Sequence, residues 1–175
     1  MDTPKASIKK IALNYGLILA LASIGWSVVL FVLDEHIERP WWSGVISFAL
    51  MVVIIIYGLK AFKKDNGGYM SLGEALKAGL AISLIAGVVG VIFNFIFVTY
   101  IDPDVVQKTL ELTEERMYEQ NPNMTQEQAE MALSMTEKFM SPGIMAALGI
   151  IATLFFGFII SLVGGLIMKN SRPEH

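Results

Sequence analysis

Residues 63–74, Lys63-Lys64-Asp65-Asn66-Gly67-Gly68-Tyr69-Met70-Ser71-Leu72-Gly73-Glu74 ("KKDNGGYMSLGE"), separate two long apolar runs. Their reading decides the fold. Gly68 and Gly73 have the glycine spacing of a phosphate-binding loop, in which Lys and then Ser or Thr come next. Here Glu74 and Ala75 follow. A carboxylate in the place of the phosphate-binding lysine repels phosphate, and the segment upstream is an apolar run of helix length, not a strand. The G-x-G-x-x-G dinucleotide pattern is absent too. The stretch therefore reads as a turn. Asn66, Gly67 and Gly68 tolerate the positive φ angles that end a helix. Ser71 and Glu74 have the spacing of a capping box, and Glu74 falls in the first turn, where the helix dipole favours negative charge. A helix is predicted to begin at Leu72 and run into the next apolar run. Over 72–101 it would be about 45 Å long, so it must tilt or leave its first turns in the membrane interface.

Four apolar runs surround this turn: Ile11–Leu33, Trp41–Leu59, Ala78–Ile101 and Ile144–Met168. Each reaches the roughly 20 residues needed to cross ~30 Å of hydrocarbon. Only 17% of the 175 residues are charged, and they gather between the runs. A soluble domain carries about 25%. We expect a single integral membrane domain, all-α, with spans over about 11–33, 41–62, 72–101 and 144–168. These form a four-span transmembrane bundle with an extracytoplasmic helical hairpin, within segment 102–143, between spans three and four. The first run is longer than the apolar core of a signal peptide, so it is read as a span.

Composition also narrows the chemistry. Without cysteine there is no disulfide, thiolate metal site or cysteine nucleophile. The two histidines, His36 and His175, are too few for a histidine metal cage. No Ser/His pair, paired carboxylate or metal set lies near one depth, so no enzyme, metal, cofactor, nucleotide or nucleic-acid role is expected. No ionisable residue sits deep in a span, which weighs against a proton-coupled pathway.

Orientation follows the Lys/Arg bias. The two tails and the 60–77 region hold nine basic residues against four in the other loops, while acidic residues divide four against twelve. Both termini are therefore expected in the cytoplasm, with Trp41 and Trp42 as aromatic anchors at the outer interface.

In lipid, helices associate through close contact of small residues. The third span offers Ala75, Gly79, Ser83 and Gly87, and the fourth Gly149, Thr153, Gly157, Ser161 and Gly165, all at intervals of four. We read them as the seam between spans three and four, extended to span one through Ala12, Gly16 and Ala20. A homodimer through one stripe is the alternative. Asn94 is expected to hydrogen-bond across helices.

The 102–143 segment carries nine acids and three bases. Asp102-Pro103-Asp104 can start a helix, Asn121-Pro122-Asn123 breaks it, and Thr125 with Gln128 makes a second capping box. Helices near 104–119 and 125–140 follow. Met131, Met135 and Phe139 form an apolar stripe, expected on the first outer helix or the membrane surface, or else as a partner-binding groove. Asp34-Glu35-His36-Ile37-Glu38 reads as a solvated loop.

The order of parts, from "IKKIALNYGL" through "YGLKAFKKDNGGYMSLGEALKAGL" to a last span ending "GLIMKN", resembles the bacterial membrane family catalogued as domain of unknown function 4199, common in Bacteroidota. Its most specific part is Asn66-Gly67-Gly68-Tyr69 with Ser71-x-Gly73-x-Ala75-x-Lys77-x-Gly79. The resemblance implies a location in the bacterial cytoplasmic membrane and a topology, and assigns no catalytic or binding residue. The expected role is non-catalytic, structural or partner-binding, with the lipid bilayer and either a second copy or another membrane protein as partners. A subunit of a small oligomeric transporter or channel is the alternative.

Overall fold

The computed structural model describes residues 6–170. Lys5 and Arg172, which enter the charge count, and His175 lie outside them. Six α-helices follow in order: α1 Ile8–Val32, α2 Trp41–Asp65, α3 Leu72–Ile96, α4 Val105–Gln120, α5 Gln126–Phe139 and α6 Pro142–Met168. A π-helical turn, Phe97–Ile101, continues α3. No strand occurs among the described residues, only an isolated bridge between Met70 and Asn170. Four helices (α1, α2, α3 with its π turn, and α6) are long and apolar enough to cross a membrane.

Local signals account for the ends. Ser7 caps α1 by accepting from the Lys10 N–H, so that helix starts at Ile8, before the uncharged run that opens at Ile11. The capping boxes at Ser71/Glu74 and Thr125/Gln128 are both formed. α2 runs past position 62 to Asp65, where the Lys63 ammonium donates to the Met168 carbonyl at 2.8 Å. Gly67 and Gly68 take φ of 71° and 86° and turn the chain, whereas Asn66 stays at −92°. Pro142 opens α6, in the first turn, where its missing N–H costs nothing.

α3 is the central helix. It packs most extensively on α6 and α1, and α2 closes the bundle against all three. Ile55, Leu59, Ile82, Ser83 and Ser161 are fully buried at its centre. The outward faces of these helices are apolar: Leu21, Ile151 and Ile167 are more than half exposed. Contiguous apolar surface on this scale suits hydrocarbon, not water. α4 and α5 pack on each other, and α5 makes a slight contact with α6.

At the end of the bundle near Ala6 and Asn170, hydrogen bonds join the loops. Met70 and Asn170 exchange two backbone hydrogen bonds of 2.9 Å. Buried Asn66 accepts from the Ala6 N–H at 3.3 Å and donates to the Tyr69 carbonyl at 2.9 Å. The Asn170 amide donates to the Gly68 carbonyl.

Candidate functional site

The α3–α6 contact is built from small residues in antiparallel register. A Cβ placed on Gly165 would lie 2.8 Å from that of Ala75, and one on Gly79 would collide with Ser161. One on Gly157 would collide with Ser83, and one on Gly87 would touch Thr153 at 3.6 Å. The hydroxyls do not bridge the helices. Ser83 donates to the Gly79 carbonyl at 2.9 Å and Thr153 to the Gly149 carbonyl at 2.7 Å, each one turn back on its own helix. Close packing holds the seam, therefore, and not interhelical hydrogen bonding. Gly149 has no neighbour within 4 Å of its would-be Cβ. A step of four residues turns ~40° around the helix, so the far end of the stripe rotates off the partner. Asn94 is half-buried and its side chain makes no hydrogen bond to another described residue. On α1, Gly16 abuts Ile85 and the Ile82 carbonyl, which places that helix against the other side of α3.

The opposite end of the bundle is organised by charge. The 33–40 loop buries His36, whose Nε2 lies 2.9 Å from an Asp102 carboxylate oxygen; the other oxygen accepts from Lys108 at 2.9 Å. Asp102 stands directly after the π turn, whose wider closure runs from the Asp102 N–H to the Phe97 carbonyl at 2.9 Å. The His36 ring is held edge-on by Phe31 and Phe97, with centroids at 5.0 and 6.1 Å. Asp34 and Arg39 adopt positive φ, 58° and 44°, a costly conformation for residues with side chains. Arg39 Nε donates to the His36 carbonyl at 3.1 Å, which tightens the turn. The hydrogen bond from Lys108, and next that from His36, hold the Asp102 carboxyl below the usual carboxylate value. Asp102 in turn raises the Lys108 ammonium. An ionised Asp102 can only accept, so His36 Nε2 carries its proton toward it.

Beside this cluster, α1 and α2 part around a cavity of about 310 Å³, lined by Ser23, Trp26, Ser27, Leu30, His36, Arg39, Pro40, Trp41, Ser43, Gly44 and Ser47. Two of the lining residues each hold a polar atom, Trp26 Nε1 and His36 Nδ1, that is buried with no hydrogen-bond partner among the described residues. Within 34–38, Asp34 and Glu38 are exposed, as read from their charges, whereas His36 is buried. Its signal in the sequence is faint: the one histidine between two spans, whose partner is 66 residues away. The serines at 23, 27, 43 and 47 were a visible clue, at helical spacing on either side of one loop.

The stripe on α5 is outside this site. Met131, Met135 and Phe139 are exposed at 63%, 59% and 61%, so they do not cover α4. The residue buried on α5 is Ala129. α4 begins at Val105, after Asp104, which makes no side-chain cap. Asp102, one of the residues expected to start that helix, is committed to His36 and Lys108 instead.

Residues 14–170 match the family described as Protein of unknown function (DUF4199). The chain belongs to this family. The match takes in α1 from Asn14 onward, the whole of α2 to α6 and the 66–70 turn. Comparison with curated proteins and with solved structures gave no match.

Proposed function

We propose that the chain is a non-catalytic, multi-pass protein of the bacterial cytoplasmic membrane that binds a separate protein through α5. In this reading both termini are cytoplasmic, α4 and α5 form an extracytoplasmic hairpin, and the α3–α6 seam is the rigid base that carries it. The observation behind it is the stripe Met131, Met135 and Phe139, about three-fifths exposed beyond the four apolar helices. Methionines and a phenylalanine on one helix face adapt to varied apolar partners. The nine acids and three bases of 102–143 set the partner's chemistry. It is an apolar surface flanked by basic residues, and anionic headgroups would be repelled. The alternative, a subunit of an oligomeric transporter or channel, has less support, because Ile55, Leu59, Ile82 and Ser161 fill the bundle centre and a path would have to run between subunits.

A photocrosslinking residue at Met131 or Met135, with one at Gln107 of α4 as control, tests this in native membranes. The expected result is one discrete protein adduct at 131 and 135, absent at 107 and lost with Phe139→Glu. Lipid adducts alone, a second copy of this chain, or equal adducts at 107 would contradict it.

A further inference from the structure

We propose that the outward face of α2, toward its Asp65 end, holds one phospholipid with a net-negative headgroup through Tyr57, Lys60 and Lys64. At about 100° per residue, Val53, Tyr57, Lys60 and Lys64 fall within about 60° of one another around the helix. All four are exposed. Ile55, Gly58, Leu59 and Phe62, which α2 buries in the bundle, lie on the other side. Along the outward face the chemistry changes in the order of a lipid leaflet. Val53 lies within the apolar run, Tyr57 stands just before its end at Leu59, and the two lysines follow. A tyrosine at that boundary meets the ester carbonyls of a lipid, to which its hydroxyl can donate. Lys60 and Lys64 are about 6 Å apart along the axis, so both ammonium groups can reach one phosphate.

The position of the Lys60 ammonium selects among anions. Its nitrogen lies 5.5 Å from the centre of the Tyr57 ring. It is turned back toward the apolar run, where the ring attracts it but part of its water is lost. An anion that meets it there travels in the membrane plane, as a lipid phosphate does. Neither Lys60 nor Lys64 forms an ion pair with a carboxylate among the described residues. Asp65, the acid nearest in sequence, is about 100° round the helix from Lys64. Lys63, between the two, is committed to the Met168 carbonyl. A zwitterionic headgroup brings its own cation and leaves the charge of the pair uncompensated, so this face favours net negative charge. A soluble anion supplies the charge but nothing to cover Val53 and Tyr57, which are 50% and 59% exposed.

The test uses the full chain in detergent micelles, read by native mass spectrometry. It is titrated with phosphatidylglycerol and, separately, with phosphatidylcholine of the same acyl chains; glycerol 3-phosphate is the soluble competitor. The expected result is one phosphatidylglycerol bound ahead of any further copy and about tenfold more tightly than phosphatidylcholine, with no displacement by glycerol 3-phosphate. Lys60→Gln and Lys64→Gln should each weaken this first site about fivefold, the scale of one basic residue facing an anionic headgroup. Tyr57→Leu should weaken it a few-fold. Lys10→Gln removes the same charge from an exposed position on α1 and should leave the site unchanged. All four variants alter exposed side chains, and their helix content by circular dichroism should match the wild type. Equal binding of the two lipids, an equal loss in Lys10→Gln, or displacement by glycerol 3-phosphate overturns the proposal.

Discussion

Two helix pairs in this molecule use the same small residues and end differently. α3 and α6 bring Ala75, Gly79, Ser83 and Gly87 against Gly165, Ser161, Gly157 and Thr153, and no Cβ fits at Gly79 or Gly157 without a collision. α1 and α2 carry Ser23 and Ser27 together with Ser43, Gly44 and Ser47, yet leave an open depression of about 310 Å³ between them. The difference lies in the bulky neighbours. At each of the four points of the first pair a small residue on α3 meets a small residue on α6, with Leu72 and Ile150 packed alongside. In the second, Trp26 and Trp42 meet edge-on at 5.9 Å and hold the helices apart. Small residues permit close approach, and the residue between them decides whether it happens.

The largest effect should come from filling the closed seam. Gly157→Val puts atoms onto Ser83, and overpacking of this kind costs about 1–3 kcal/mol or more. Unfolding of the purified protein in mixed micelles of rising SDS fraction should shift further for this variant than for any other considered below. Gly79→Val, against Ser161, should behave alike.

Next comes the charge cluster beside the open pair. Asp102→Asn leaves His36 and Lys108 without their carboxylate. We expect about 1–2 kcal/mol of destabilisation, at the low end for a charge-assisted bond because Lys108 is 47% exposed. Faster proteolysis within 33–40 or 102–108, with the α3–α6 seam unchanged, would show that the damage is local.

The pH response has a definite sign. Asp102 is depressed from its ordinary value of 3.8, so its stabilisation is complete above that pH and fades as pH falls through the lower folded value. Lys108 is raised above 10.5, so its part is complete below that pH and fades as pH rises through the higher folded value. Melting curves of the wild type and Asp102→Asn should converge in strong acid and differ most between these limits.

The smallest effect belongs to Gly44→Ala. No atom lies within 4 Å of its would-be Cβ, and alanine favours the helix by up to about 1 kcal/mol. Its stability should match or slightly exceed the wild type, whereas Gly157→Ala, the same change in the closed pair, should be destabilising.

Local chemistry made much of the fold legible. Apolar run length located four long helices, and the caps at Ser71 and Thr125 fixed two helix starts. The 34–38 loop was legible in part: Asp34 and Glu38 are exposed, as their charges imply, but His36 is buried against a carboxylate that only tertiary structure brings to it. Met131, Met135 and Phe139 show the converse. Their period marks an apolar face, and periodicity cannot say whether a neighbour covers it. Gly149 completes a perfect interval of four, but the interval drifts around the helix and the last member loses its partner.

The most direct test of the comparison uses the absence of cysteine from the chain. Single thiols at Ser27→Cys, on the cavity wall, and Ser161→Cys, in the closed seam, are exposed to a water-soluble methanethiosulfonate in folded, reconstituted protein. The Ser27→Cys thiol should react readily and the Ser161→Cys thiol only after unfolding in SDS. Equal rates, or faster modification in the seam, would contradict the assignment of one closed and one open helix pair.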